Sequence, residues 1–242
     1  MEVHSHTHTS RKKWTHYLWE FLMLFLAVTL GFLVENQREH YTEMKRAKEY
    51  AVSLLMDLKE DSANIYGIIK SRTLRQQRLS SLMDELEKKP ANQNDTLLFQ
   101  IGAYDLANRS YVVLQTGTYE QIRNSGSLRY FNNETAAAMV KYESTRATLE
   151  KQNEIENKYV LENIIPLRAK FCNPKYLRYE KEDKLFTATD PLITKDPEIQ
   201  SQLYRSIIFL QERNRIYTEN LKNAATDVIA IIHGLKNEYH LE

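Results

Sequence analysis

Cysteine occurs once in this 242-residue chain, at position 172, and a single thiol excludes both an intrachain disulfide and a cysteine-based zinc centre. Glycine and proline are nearly as scarce, at six and five. So few breakers predict long uninterrupted helices. Charge of one sign is missing too, since 33 basic side chains face 32 acidic ones for a formal net charge of +1. That balance supplies no long-range field, which makes nucleic acid a poor partner, and the mixed signs along the chain have the pattern of solvated helix faces.

Catalytic signatures are lacking as well. No glycine is followed by the Lys-Ser/Thr of a phosphate loop, and neither H-E-x-x-H nor G-x-S-x-G occurs. A bundle diiron site needs Glu-x-x-His pairs, but Ala230 stands three residues before His233 and Asn237 three before His240. No cofactor is implied and no enzymatic reaction is expected. Cys172 has no histidine near it in sequence and is expected to pack at the end of a kinked helix.

What the chain does contain is one apolar run. Residues 21–34, FLMLFLAVTLGFLV, are fourteen consecutive uncharged positions behind Arg11-Lys12-Lys13 and an aromatic collar of Trp14, Tyr17 and Trp19. A bilayer core takes about 20 helical residues, whereas the apolar core of a signal peptide has about 7–15. Extension back to Tyr17 gives eighteen positions and includes Glu20, about one turn inside the interface, where a carboxylate can snorkel to the headgroups. The exit sequence Gly31-Phe32-Leu33-Val34-Glu35-Asn36 lacks the small residues that cleavage requires. We therefore read a short His-rich basic tail over 1–16, an uncleaved transmembrane helix over 17–35 and a helical domain over 36–242. Three consecutive cations precede the span, while Lys45, Arg46 and Lys48 lie about a dozen residues beyond it, closer only for Arg38. The positive-inside rule then places the N terminus in the cytoplasm and the domain outside it.

The expected fold is all-α, with the membrane helix continuing into an elongated antiparallel bundle of three to four long helices. Helices are expected over about 36–88, 96–114, 118–125, 133–170 and 197–239, with an irregular strap over 173–195. Ala47, Ala51, Leu54, Leu58, Ile65, Ile69, Leu79, Met83 and Leu86 recur at helical steps, a narrow stripe suited to bundle packing. From Ile199 to Tyr239 a similar stripe holds a spacing near 3.5. Asp95, Asn132 or Asn133, and Asp196 before Pro197 are candidate N-caps, and Gly126 stands where a helix end wants a left-handed residue. The polar middle of the third long helix, from Arg146 to Lys158, is expected to be exposed, and Pro166 to kink or end that helix.

Two blocks carry a resemblance. Lys13-Trp14 with Trp19-Glu20-Phe21-Leu22-Met23-Leu24-Phe25-Leu26-Ala27-Val28 and Gly31-Phe32-Leu33-Val34-Glu35-Asn36-Gln37-Arg38-Glu39 resembles the opening of a family of uncharacterised bacterial single-pass membrane proteins. The block from Tyr119 to Leu128, with Ser125-Gly126-x-Leu128, is similar to an element of related membrane-anchored domains of unknown function. The resemblance implies a membrane-anchored helical protein, and it carries over no activity and no site residue; the expected location is the bacterial inner membrane.

His4, His6 and His8 alternate with Ser5 and Thr7, so an extended tail would project three imidazoles to one side, a low-affinity site for Zn2+, Ni2+ or Cu2+. Ordering such a tail costs entropy and the site has no outer shell, which favours a merely solvated tail. In the strap, Tyr176, Arg178 and Tyr179 form an aromatic-basic run that is a candidate interaction element. The leading expectation is a non-enzymatic interaction or scaffold protein whose partners are the lipid bilayer and either another protein or further copies of itself. A ligand-sensing domain that signals through a separate membrane subunit is the alternative, and an enzyme with a dispersed site comes third.

Overall fold

The computed structural model describes residues 14–177 and 189–241. Among them every extended element is helical, and the sole β feature is an isolated bridge, so the chain is all-α. Two compact units divide it, Met1–Glu49 and Tyr50–Glu242, and helix α1 (Trp14–Leu86, 73 residues) contributes to both.

In the first unit, helical residues 14–42 are exposed throughout except at Thr29. The stretch is long and apolar enough to cross a membrane, with an 18-residue window of mean hydropathy 2.0. Trp14, Tyr17 and Trp19 stand exposed near its start, and His16 Nε2 lies 3.1 Å from Glu20 Oε1 one turn on. That carboxylate therefore has a partner on its own helix.

In the second unit α1 buries Ala51, Leu54, Leu58, Asp61, Ile65, Arg72, Arg75, Leu79, Leu82 and Leu86. The steps of three and four, and their sums, define a heptad seam. Charged residues fill it at 61, 72 and 75, where the apolar stripe has gaps. A turn at Pro90–Asn92 leads to α2 (Asp95–Gln100) and one wide π-turn, Ile101–Asp105. Asn94 is the cap, its Oδ1 accepting from Leu97 N at 3.0 Å, and Asp95 is the first helical residue.

The helix expected over 96–114 is not formed beyond Asp105, and residues 108–116 have no regular secondary structure. Topology explains the difference. Asp105 contacts Arg75 and Gln115 contacts Asp61, so this segment runs back along α1 by about 21 Å, at 1.5 Å per helical residue. Ten residues coiled as a helix would cover only about 15 Å. An extended strap covers the distance.

The chain then forms α3 (Gly117–Asn124), which ends at Gly126 with φ 70°, a left-handed conformation that costs a side chain-bearing residue about 1 kcal/mol. After a 3-10 turn, Ser127–Tyr130, come α4 (Asn133–Tyr159), a π-turn at Val160–Ile164, and α5 (Ile165–Phe171). Asn132 Oδ1 caps α4 by accepting from Thr135 N at 2.7 Å. The wide π-turn lies directly before Pro166, where the missing N–H and the ring oppose an ordinary α-turn, and the helix resumes beyond it. The short α6 (Pro174–Leu177) follows. A bridge between Cys172 and Leu192, with Asn173 N to Pro191 O at 2.9 Å and Ile193 N to Phe171 O at 2.8 Å, closes the ends of the 173–195 region on each other.

Finally α7 (Pro197–Tyr239) starts at Asp196, whose carboxylate accepts from Glu198 N and Ile199 N. It buries Leu203, Ile207, Leu210, Asn214, Tyr217, Leu221, Ala224, Val228, Ile231 and Leu235. Pairings such as Lys141 with Asp227 and Tyr159 with Ser206 make α7 antiparallel to α4, and Arg72 with Asn214 and Glu87 with Tyr204 make it antiparallel to α1. Asp61 with Tyr142 and Arg72 with Glu156 make α1 and α4 parallel. A parallel pair needs a long return connection, which is the role of α2, the strap and α3.

Candidate functional site

The charged residues in the α1 seam build the centre of the second unit. Arg72 directs Nη1 to Glu156 Oε2 at 2.8 Å and Nε to the carbonyl of Ser110 at 2.6 Å. Its guanidinium stacks 4.1 Å above the Tyr217 ring. One helical turn on, Arg75 gives Nη1 to the other Glu156 oxygen and Nε to the carbonyl of Asp105 at 3.3 Å. The Asp105 carboxylate in turn binds Arg78 Nη1 at 3.1 and 3.2 Å. Asn214 of α7 donates to the Arg72 carbonyl and to Gln76 Oε1, both at 2.9 Å. A second anchor lies three turns toward the N terminus, where Asp61 accepts from Gln115 N at 2.9 Å and from the Tyr142 hydroxyl at 2.7 Å. Between them Val112 N donates to the Tyr217 hydroxyl at 3.2 Å.

Two buried guanidiniums thus share one buried carboxylate. Burial opposes charge on Glu156, but Arg75 and Arg72 together outweigh it and hold the carboxyl below its ordinary value. Burial also lowers Arg75, against the attraction of Glu156, though a guanidinium starts so high that it stays charged. Asp61 is shifted the other way. Burial raises it, and the Gln115 N–H and the Tyr142 hydroxyl offset that only in part. Arg72 Nη2 and Arg75 Nη2 are buried with no partner among the described residues, so the layer holds more donors than acceptors.

The cluster's chemistry is positional. Buried side chains of α1 and α7 bind main-chain groups at Asp105, Ser110, Val112 and Gln115, which holds the strap extended and fixed. A groove of about 190 Å³ lies between residues 111–114 and Arg146, Leu149, Glu150 and Asn153 of α4.

The residues singled out from sequence lie elsewhere. Trp14, Tyr17, Trp19 and Glu20 are on the exposed helix of the first unit. Tyr176 is half-buried, edge-to-face with Phe99 at 6.2 Å and under Lys175 Nζ at 5.4 Å, so its ring belongs to the packing of the domain end. Arg178, Tyr179, His4, His6 and His8 lie outside the described residues. Cys172 is buried against the core, and burial pushes its thiol up to about 12. Sequence reasoning missed Asp61, Arg72, Arg75, Glu156 and Asn214, although each sits where a heptad seam calls for an apolar residue. The expected exposure of 146–158 is corrected accordingly, because Leu149 and Glu156 are buried. The compensating charge that permits this lies on α1, seventy or more residues away in sequence.

Among the described residues no group of three or more His, Cys, Asp or Glu side chains is placed to hold a metal ion. No family model, curated protein or solved structure matches the chain.

Proposed function

We propose that this chain is a non-enzymatic interaction protein held in the bacterial inner membrane by residues 17–35, with its N terminus in the cytoplasm and its helical domain outside. The observation that carries the reading is the exposure of residues 21–34 along α1. An uncharged run of that length in a soluble helix would be buried against a partner, and each such side chain left in water forgoes about 1.5–3 kcal/mol. A bilayer removes that cost. The domain reading is supported by the cluster described above, whose buried groups hold main chain in place.

Alkaline carbonate extraction of membranes from cells expressing the full chain tests the anchor. The wild type should stay in the pellet, and Leu26→Arg, which puts a cation near the middle of the span, should shift a large fraction to the supernatant. Wild-type protein found in the supernatant would overturn the reading.

A further inference from the structure

We propose that the apolar surface of the anchor fits a bilayer whose hydrocarbon core is only about 21–27 Å thick, so that phospholipids with short acyl chains are its preferred partner. This rests on the anchor reading and names the lipid that serves it.

Two carboxylates bound the run. Between Glu20 and Glu35 stand the fourteen uncharged residues 21–34, exposed throughout except at Thr29. As helix they cover about 21 Å, against about 30 Å for a typical hydrocarbon core. The two boundaries differ in kind, because side chains on a helix lean toward its N terminus. For Glu20 that lean is outward, and its carboxylate lies 3.1 Å from His16 Nε2, one turn nearer the N terminus. The Glu20 backbone can therefore sink by about one turn while the carboxylate stays among the headgroups. Sinking adds Tyr17, Leu18 and Trp19 to the apolar length, and residues 17–34 cover about 27 Å. For Glu35 the same lean points back toward the membrane. Arg38 follows it inward, with Nε 3.0 Å from Glu35 Oε2. A side chain that leans inward has no outward reach to spend, so the exit boundary stays at Val34.

A thicker core would need an exit face further along α1. The next tyrosine or tryptophan after the run is Tyr41, which is exposed and could stand at such a face. A face there would draw Glu35, Arg38 and Glu39 into hydrocarbon, which ionised side chains resist far more strongly than lipid resists thinning. Tilt is no remedy, since it accommodates a span that is too long and shortens further one that is too short. The lipid must therefore adapt to the helix. Short acyl chains do so without deformation.

The chain's two tryptophans, Trp14 and Trp19, both stand exposed in the collar at the entry face, so tryptophan emission reports on the anchor alone. The test reconstitutes the full chain in phosphatidylcholine vesicles, where a lipid of fourteen to twenty-two carbons per chain, varied in steps of two, competes with a brominated eighteen-carbon lipid that quenches this emission. Relative affinity should be highest at fourteen or sixteen carbons and at least threefold lower at twenty-two. Insertion of four leucines after Leu30 lengthens the run by about 6 Å and should move the optimum to longer chains. An optimum at eighteen carbons or more, or a spread of less than threefold, overturns the proposal. An optimum that the insertion leaves unmoved, or moves to shorter chains, also overturns it, by assigning the preference to the vesicles. A chain that remains in the carbonate pellet but prefers long acyl chains loses this inference and keeps the anchor reading.

Discussion

Glu156→Ala should be among the most damaging single substitutions in the second unit. The carboxylate is the shared partner of Arg72 and Arg75, and all three side chains are buried. Removing one partner of a buried ion pair costs about 3–5 kcal/mol, since a charge is left uncompensated. Here two guanidiniums are left, each already carrying one unpartnered nitrogen, so the expected loss is at the upper end, about 5 kcal/mol. A domain's whole stability is about 5–15 kcal/mol. For a unit of this size each kcal/mol shifts Tm by about 2–4 °C, and thermal unfolding followed by circular dichroism should therefore show a drop of about 10–20 °C. Replacing the triad with apolar residues, as in Arg72→Met with Arg75→Leu and Glu156→Leu, removes the charges together and should cost far less. That triple variant should nonetheless show faster exchange in the strap, because the bond from Arg72 to Ser110 is lost. The acid limb gives an independent check. Glu156 is held below its ordinary value, so its contribution is present above about pH 4.3 and is lost as pH falls through the folded value, and Glu156→Ala should flatten that limb. A Tm drop of less than about 3 °C for Glu156→Ala would refute the argument, because an enclosed pair of arginines cannot lose the carboxylate they share at so small a cost.

Three further outcomes follow from other parts of the fold. At Gly234 a Cβ would overlap the Thr135 hydroxyl, so Gly234→Ala should cost about 1–3 kcal/mol in thermal unfolding, and Thr135→Ala in the same chain should recover most of it. Asp61 is raised by burial, so its contribution is full below about pH 3.9 and is lost as pH rises through the higher folded value; Asp61→Asn should keep the Gln115 anchor and remove this dependence, measured as the Tm difference between pH 4 and pH 7. The buried thiol of Cys172 should resist maleimide in the folded chain, whereas Lys222→Cys at an exposed position of α7 should label in intact cells if the domain is extracytoplasmic and only after lysis if it is not.

The long helices were legible because their pattern is local. Ala51, Leu54, Leu58, Leu79 and Leu86 mark the α1 seam, and on α7 Leu203, Ile207, Leu210, Tyr217 and Leu221 do the same, since burial at steps of three and four needs no knowledge of the partner. Capping by Asp196 and the left-handed Gly126 were legible for the same reason. The charged layer was not. A lone Arg72 or Glu156 reads as a surface residue, and only the pairing of helices 84 residues apart in sequence shows that each supplies what the other needs. The strap failed in another way. Residues 106–114 have acceptable helix propensity, and what overrides it is the distance the chain must travel between two anchors.

That override links the two halves of the site. In a bundle with α1 parallel to α4, the connection must come back along the helices, and a returning chain without helical bonds needs partners for its main-chain groups. Buried polar side chains in the seam supply several of them, at the cost of apolar contact there. If the layer served stability alone, apolar residues would do as well or better. Its placement ties the buried polar residues to the main chain of the strap, at Ser110, Val112 and Gln115. The triple apolar variant separates these roles: a bundle that remains stable while amide exchange in the strap quickens would assign the layer to holding the strap, and unchanged exchange would assign it to helix register instead.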